Sequence, residues 1–263
     1  ADRMMEQIER AFGSWRAPAT PEPAYPALTD VRGRRVHLVH LPGTVQAQVL
    51  IGNLAITRHH PDWMALLLGN AVFGGAFNSR LVINIREQKG YTYSPRSAVS
   101  ALRQHGYFTA AAAVRNDVVA ATLTEIFYEL DRMRSLPVGD DELHDTKTYL
   151  SGVFSLGLAT QDGLAGQLAT VYLNNLPENY LETYRDAVHA LTAADVLSAA
   201  RKHIDSANAP RRTGLRAAAG GARAAGRTRH RNLAAGGPGR VGRRVVVVGQ
   251  RRAHHVRPVG HGL

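Results

Sequence analysis

The chain of 263 residues contains no cysteine, and only 6% of its residues are Phe, Trp or Tyr. Without cysteine it can form neither a disulfide nor a thiolate metal site, which leaves the redox compartment open. No run of about 18 apolar residues occurs, so no transmembrane helix is predicted. A signal-peptide pattern is also missing, and a helical pattern follows Ala1 at once, so we expect a piece of a longer product or a trimmed start.

Acidic and aromatic residues are missing from the last part of the chain. Residues 209–263 hold 13 Arg and 11 Gly but no Lys, Asp, Glu or aromatic residue, whereas the first 208 residues hold 19 basic and 21 acidic residues, a net charge of −2. Such a segment cannot bury enough apolar surface to offset its ordering entropy, so we predict a disordered tail in which only Val245 to Val248 could form a strand. A basic tail could bind nucleic acid or a membrane surface. Its composition also fits a GC-rich gene translated in the wrong frame, the interpretation that we favour.

Several catalytic motifs are absent from the sequence. Neither H-E-x-x-H nor H-x-x-E-H occurs, nor a G-x-S-x-G elbow, nor a phosphate loop, and Gly74-Gly75 lacks the third glycine of a dinucleotide fingerprint. His37 and His40 are three apart on a predicted strand and so face opposite sides, while the adjacent His59-His60 pair lies in a predicted loop. We interpret both pairs as surface or structural histidines. The sequence therefore predicts no metal site and no catalytic set of its own.

The periodicity predicts an α+β fold, an antiparallel sheet with helices packed on one face. Two predicted strands, 35–41 and 45–56, form an antiparallel pair, and 93–102 with 107–114 form a hairpin. The predicted helices cover residues 2–15, 63–73, 79–89, 118–134, 140–156, 161–173, 178–190 and 192–203. We divide the chain into a terminal helix of a preceding domain (1–17), a proline-rich linker (18–34), one α/β domain (35–208) and the tail (209–263).

The stretch from Phe73 to Ser97 organises the rest of the chain. It is predicted to open with a glycine turn at Gly74 and Gly75 and to continue as a helix capped by Asn78 or Ser79. The residues Leu81, Val82 and Ile85 give that helix an apolar stripe, and Lys89 and Gly90 end it.

A strand is predicted from Tyr91 and Tyr93 onward. Arg86 and Tyr93 then flank a sharp helix-to-strand turn, where a guanidinium and a phenol could both face a peptide carbonyl in a cleft. An Arg at a helix end and a Tyr on a strand are also common as a solvated charge and a half-buried ring.

Residues 35–205 resemble the second, non-catalytic domain of the insulinase/pitrilysin family of zinc metallopeptidases, which includes mitochondrial processing peptidase. The residues that carry the resemblance are Gly74-Gly75, Ser79-Arg80-Leu81 and the run from Arg86 to Ser94. The helix that ends near Trp15 and the linker after it resemble the end of the preceding domain.

The resemblance implies that two homologous domains form half of a clamshell. The first domain carries H-x-x-E-H and the zinc, and the second carries an Arg and a Tyr seven residues apart, which Arg86 and Tyr93 match. Their implied role is to bind the substrate backbone and to stabilise the tetrahedral oxyanion. This chain would bind no cofactor of its own; its implied partners are a zinc-bearing homologous domain or subunit and a peptide or protein substrate.

The chain departs from the family at two places. The helix Trp63 to Phe73 has no His or Glu where the sister domain has its zinc motif, so the chain alone should not hydrolyse peptides. The family would also end with a strand soon after Ile204, and a missing strand would expose a sheet edge.

Two other functions compete with the peptidase interpretation. An inert scaffold subunit of a larger assembly is one alternative, although a scaffold has no need of the Arg86/Tyr93 pair. A nucleic-acid binder is supported only by the tail, because the body has no basic face with interleaved aromatics. The bacterial periplasm or cell envelope is our guess for the compartment.

Overall fold

A computed structural model describes residues 2–16 and 36–204, together with the backbone of 244–249. The linker and the other residues of the tail lie outside the described residues, so what the sequence predicts of them stays a prediction. The chain divides into two compact units, residues 1–31 and 32–263. In the first unit, helix α1 covers Asp2–Phe12 and none of its residues is buried.

The second unit combines strands and helices, as the α+β prediction requires. Its described strands are β1 (Val36–Val39), β2 (Gln46–Ala55), β3 (Arg96–Ala101), β4 (Gly106–Arg115) and β5 (Arg244–Gly249). Its α-helices are α2 (Trp63–Asn70), α3 (Val119–Ser135), α4 (Asp140–Leu158), α5 (Gln161–Leu173), α6 (Tyr180–Ala190) and α7 (Ala193–His203). Between them lie a first π-helix (Ala71–Gly75), a second π-helix (Val82–Gln88) and a 3-10 turn (Asn116–Val118).

The five strands form one sheet in the order β1-β5-β2-β4-β3. Neighbouring strands are antiparallel except β2 and β5, which are parallel. The prediction that the first two strands pair directly is therefore wrong: β1 and β2 run in opposite directions, but β5 lies between them. The prediction of a missing closing strand is also corrected, because four consecutive valines, which favour strands, supply one from within the tail.

The core lies between this sheet and the helices. Alternate residues of β2 and β4 are buried, as expected for a sheet covered on one face. The buried side chains of the strands meet those of α2, α3, α7 and both π-helices in one cluster, whose largest members include Phe73, Phe108, Leu66, Leu81, Ile85, Ile126 and Leu130.

The sequence predicts that Asn116 or Asp117 caps α3 and that Thr192 and Asp195 form a capping box at α7, and the two predictions have different outcomes. Asn116 does not cap α3; its side-chain amide donates to the carbonyl of Thr44 instead, across the sheet end. The predicted capping box of α7 is confirmed, since Thr192 Oγ1 accepts from Asp195 N at 3.2 Å and the Asp195 carboxylate accepts from Thr192 N at 2.8 Å. The hydrogen bonds from Thr192 lower the pKa of Asp195 below its usual value.

A second, smaller cluster packs α4 against α6. The rings of Phe154 and Tyr184 stack with centroids 3.9 Å apart, and Val188 is buried beside them. Burial, with a smaller contribution from the nearby Tyr180, raises the pKa of Tyr184 to about 12. The phenol is therefore favoured in its neutral form in the folded chain.

This shift predicts a loss of stability in alkaline solution. The folded pKa of Tyr184 lies above the ordinary tyrosine value of 10.0, so its contribution to stability is complete below pH 10 and is lost as the pH rises towards 12. At pH 11 the loss should be roughly 1 kcal/mol in the free energy of unfolding. Urea unfolding at pH 8 and pH 11 should show a smaller loss in Tyr184→Phe than in the parent chain. The matched change Tyr172→Phe, at a side chain that is 82% exposed, should leave the loss unchanged; equal losses in all three proteins would contradict the assignment.

The interior position of β5 generates a second prediction. Each of its amides faces either β1 or β2, so proline at Val247 removes one ladder hydrogen bond. We expect Val247→Pro to lower the free energy of unfolding by roughly 1–3 kcal/mol. The control is Val241→Pro, which lies in the same tail before β5. Equal effects of the two substitutions in urea unfolding would show that β5 does not stabilise the sheet.

Candidate functional site

The second π-helix presents one apolar face to the core and Arg86 to the other side. Leu81, Val82 and Ile85 are buried, which confirms the predicted apolar stripe. Its hydrogen bonds are wider than those of an α-helix, since Lys89 N donates to Asn84 O at 3.1 Å, five residues back.

The helix ends where the sequence predicts, at Lys89 and Gly90. Gly90 N donates to Arg86 O at 3.1 Å, which is the bond of an αL cap, and Tyr91 N donates to Ile85 O at 3.0 Å, six residues back. Gly90 has a φ of +63°, a conformation that glycine adopts without a steric penalty.

Two polar side chains anchor this helix to its neighbours. Arg80, which is buried, donates from Nε and Nη2 to the two carboxylate oxygens of Glu142 on α4, at 2.8 and 2.6 Å. Asn84 Nδ2 donates to Glu129 at 2.9 Å and to Glu125 at 3.1 Å, both on α3. Bidentate Arg–carboxylate contacts fix orientation as well as distance. The backbone that carries Arg86 is therefore held on two sides.

The glycine pair does not form the predicted turn. Gly74 and Gly75 belong to the first π-helix, and neither has a positive φ. A Cβ at Gly74 would lie 2.7 Å from Ser97 Oγ and 2.9 Å from Ser97 N, so the residue is needed for close packing against β3. At Gly75 a Cβ would lie 2.6 Å from Asn70 Nδ2.

The predicted cap by Asn78 or Ser79 is also wrong. The carbonyl of Ser79 accepts from Ile83 N at 3.0 Å, but its buried Oγ has no hydrogen-bond partner among the described residues. Packing of the helix start against the core takes the hydroxyl away from the amides that it would cap.

Tyr93 lies in the loop before β3, because that strand begins only at Arg96. The loop is fixed on both sides of the ring: Thr92 Oγ1 donates to Ala113 O on β4 at 2.6 Å, and Pro95 is buried. The side chain of Tyr93 itself is 79% exposed. A side-chain bond to β4 replaces the ladder that the sequence predicted here.

The structure brings Arg86 and Tyr93 into contact. The Arg86 guanidinium carbon lies 4.5 Å from the centroid of the Tyr93 ring and 5.2 Å from that of Phe77. Its Nε lies 3.1 Å from Glu87 Oε1. The guanidinium is thus stacked on two aromatic rings, a cation–π arrangement, and its side chain keeps 26% of its surface exposed.

Sequence reasoning missed Phe77. Its ring is exposed although it is large and apolar, and it lies between the glycine pair and the Arg86 helix. The sequence signal that could have identified it is a single large apolar residue between Ala76 and Asn78, within the stretch from Phe73 to Ser97.

Comparison with known proteins identifies the domain. The profile of the peptidase M16 inactive domain matches residues 1–150. The chain belongs to this family. The insulinase-family resemblance noted from Arg86, Tyr93 and their neighbours is confirmed.

Known proteins give further comparisons. The chain is 28% identical over 206 residues to an uncharacterized zinc protease of Streptomyces coelicolor, covering 76% of this chain and 44% of that protein. A peptidase M16 inactive domain from Pseudomonas fluorescens superposes with a TM-score of 0.59 at 24% identity, over 78% of this chain and 40% of the other. A protease from Helicobacter pylori gives a TM-score of 0.72 at 18% identity, over 95% and 52%. These structures support the fold, and the chain spans less than half of the curated relative.

Helix α2 does not fit a zinc ion. It contains no His or Glu, and six of its eight residues are buried in the core. None of the helices in the described ranges has both the length and the hydropathy needed to cross a membrane.

The packing of Gly74 yields a test. Gly74→Ala should lower the free energy of unfolding by roughly 1–3 kcal/mol, because the added Cβ meets the backbone of Ser97. Gly166→Ala in α5 is the matched control: its Cβ would meet nothing within 4 Å, so removing a helical glycine should stabilise by up to about 1 kcal/mol. Effects of the same sign in thermal or urea unfolding would contradict the close-packing assignment.

Proposed function

We propose that this chain is the substrate-binding half of a zinc endopeptidase, completed by a zinc-bearing homologous domain or subunit. The observation that carries the proposal is the contact between Arg86 and Tyr93, 4.5 Å from guanidinium carbon to ring centroid at an exposed position. Membership of the M16 inactive-domain family and a relative that is a zinc protease support it.

The pair suits recognition of a peptide backbone. The Arg86 guanidinium lies over the rings of Phe77 and Tyr93 and pairs with Glu87 through Nε, so its Nη groups are the donors that a substrate carbonyl would meet. The Tyr93 ring is exposed and contacts this guanidinium, so its phenol hydroxyl is a second donor close to Arg86. Donors that are held in place before the reaction stabilise a developing oxyanion without reorganisation, which can be worth roughly 100-fold or more in rate.

The zinc chemistry would come from the partner. A zinc ion in that domain would activate water and polarise the carbonyl, while Arg86 and Tyr93 bind and orient the substrate. Since α2 offers no ligand, the chain by itself should be inactive. The near-neutral body argues for peptide rather than nucleic acid as the substrate.

The test is peptide hydrolysis after this chain is mixed with the zinc-bearing domain from the same locus. The mixture should cleave, whereas either part alone should not. Arg86→Ala and Tyr93→Ala should each lower kcat/KM by ~100-fold without preventing assembly. Tyr93→Phe separates the two roles of the tyrosine, because it keeps the ring on Arg86 and removes the hydroxyl.

The control is Tyr149→Phe on α4, an exposed tyrosine that does not contact Arg86 in the described structure. It should leave kcat/KM unchanged. A mixture that assembles and cleaves with equal rates in all variants would overturn the role of the pair. An assembly that does not cleave at all, with this chain still required for its stability, would favour a scaffold subunit.

A further inference from the structure

Two imidazoles and one carboxylate converge beside the start of α2. They are His60 and Asp62, in the loop before the helix, and His203 at the end of α7; one potential ligand atom from each lies within 4.8 Å of the other two. His203 Nε2 is 2.8 Å from Asp62 Oδ2, and the rings of His60 and His203 meet edge to face with centroids 4.9 Å apart. No other such group of three occurs among the residues that the structure describes.

The backbone holds these side chains in place. His60 N donates to Thr57 O at 3.2 Å, and the next turn begins with Trp63 N donating to His60 O at 2.9 Å. On the other side, the carbonyl of His203 accepts from Asn53 Nδ2 on β2 at 2.8 Å. The side chains of His203 and Asp62 keep 13% and 23% of their surface exposed, so an ion can enter from solvent.

The donor set matches a borderline transition metal. Two imidazole nitrogens and a carboxylate oxygen are ligands of Zn²⁺ and its neighbours, and a three-ligand site leaves a fourth position for water. Bonds of about 2.0–2.2 Å place neighbouring tetrahedral ligands about 3.3–3.5 Å apart. Two ligand atoms at the 4.8 Å limit must therefore approach by about 1.4 Å, within reach of side-chain rotation.

Three existing contacts change when the ion binds, beginning with the His203 Nε2–Asp62 Oδ2 hydrogen bond, which must lose its shared proton. The Nδ1 lone pair of His60 accepts from Asp62 N at 3.1 Å, so ring rotation has to exchange this bond for a metal bond. Lys202 Nζ lies 3.1 Å from Asp62 Oδ2, but its side chain is 57% exposed and can turn into solvent.

We propose that His60, Asp62 and His203 bind a divalent transition-metal ion of the Zn²⁺ type. Bound there, the ion ties the C-terminal end of α7 to the loop that leads into α2. The sequence predicts that His59 and His60 are surface or structural histidines. The proposed site could not be recognised locally, because its third ligand, His203, lies 143 residues after His60.

The chain carries its own reporter for this site. It has two tryptophans, Trp15 and Trp63, and Trp63 directly follows the ligand Asp62. In full-length Trp15→Phe protein, Ni²⁺ should quench the emission of Trp63 in a saturable, one-to-one titration, and Zn²⁺ should compete. His60→Ala, His203→Ala and Asp62→Asn should each weaken Ni²⁺ binding by at least about tenfold.

Two controls keep the result specific. His144→Ala, at an exposed residue of α4, and the double substitution of His254 and His255 by Ala, in the tail, should leave the affinity unchanged. Metal-free circular dichroism identifies any variant that fails to fold, and Asp62→Asn, which preserves the shape of the side chain, decides the test in that case. The proposal is overturned if quenching does not saturate, if Asp62→Asn binds as tightly as the parent, or if the control substitutions abolish binding.

Discussion

The close approach of the first π-helix to β3 is the constraint on which the site depends. Gly74 lies so near Ser97 that no side chain fits between them, and Ser97 Oγ donates to Asn70 Oδ1 at 2.8 Å. A hydrogen bond from β3 to the last residue of α2 therefore lies beside the point where the first π-helix and β3 are closest. This contact sets where the chain leaves the π-helix, and hence where the second π-helix begins. A larger residue at this position would move both together.

The second π-helix, which contains Arg86, has a buried face and an exposed face. Its inward face buries Leu81 and Ile85, while Arg80 and Asn84 bind carboxylates of α4 and α3. Arg86 lies on the other face, where Ile83 and Glu87 are also exposed, and it contacts the ring of Phe77 before the helix and that of Tyr93 after it. Exposed ion pairs contribute little to stability, so the Arg86–Glu87 contact cannot by itself hold the guanidinium. Its orientation follows from the anchored backbone and from stacking on Phe77 and Tyr93.

The local parts of the fold were predictable from the sequence, and the parts that depend on distant contacts were not. The α7 capping box and the Gly90 helix end are decided within a few residues, so their motifs sufficed. The predicted glycine turn is wrong because what requires Gly74 is close packing against the backbone of Ser97, more than 20 residues away in the sequence. Asn116 likewise donates to the carbonyl of Thr44, a contact between distant residues that local capping rules do not predict. Arg86 and Tyr93 were predicted to be close because one tight helix end separates them, whereas the role of Phe77 required the stacked geometry.

The sheet shows the same limit on a larger scale. Average composition predicts a disordered tail in which only Val245 to Val248 could form a strand, and those valines do lie in β5, between β1 and β2. A strand of this kind needs only backbone pairing and a run of residues that favour extended conformations, so a short valine run can provide it inside a segment rich in Arg and Gly. Within the described residues, β1 has β5 as its sheet neighbour. The position of β1 therefore depends on a segment some 200 residues later in the chain. The tail contributes to the sheet through this strand pairing, although its overall composition is that of a disordered segment.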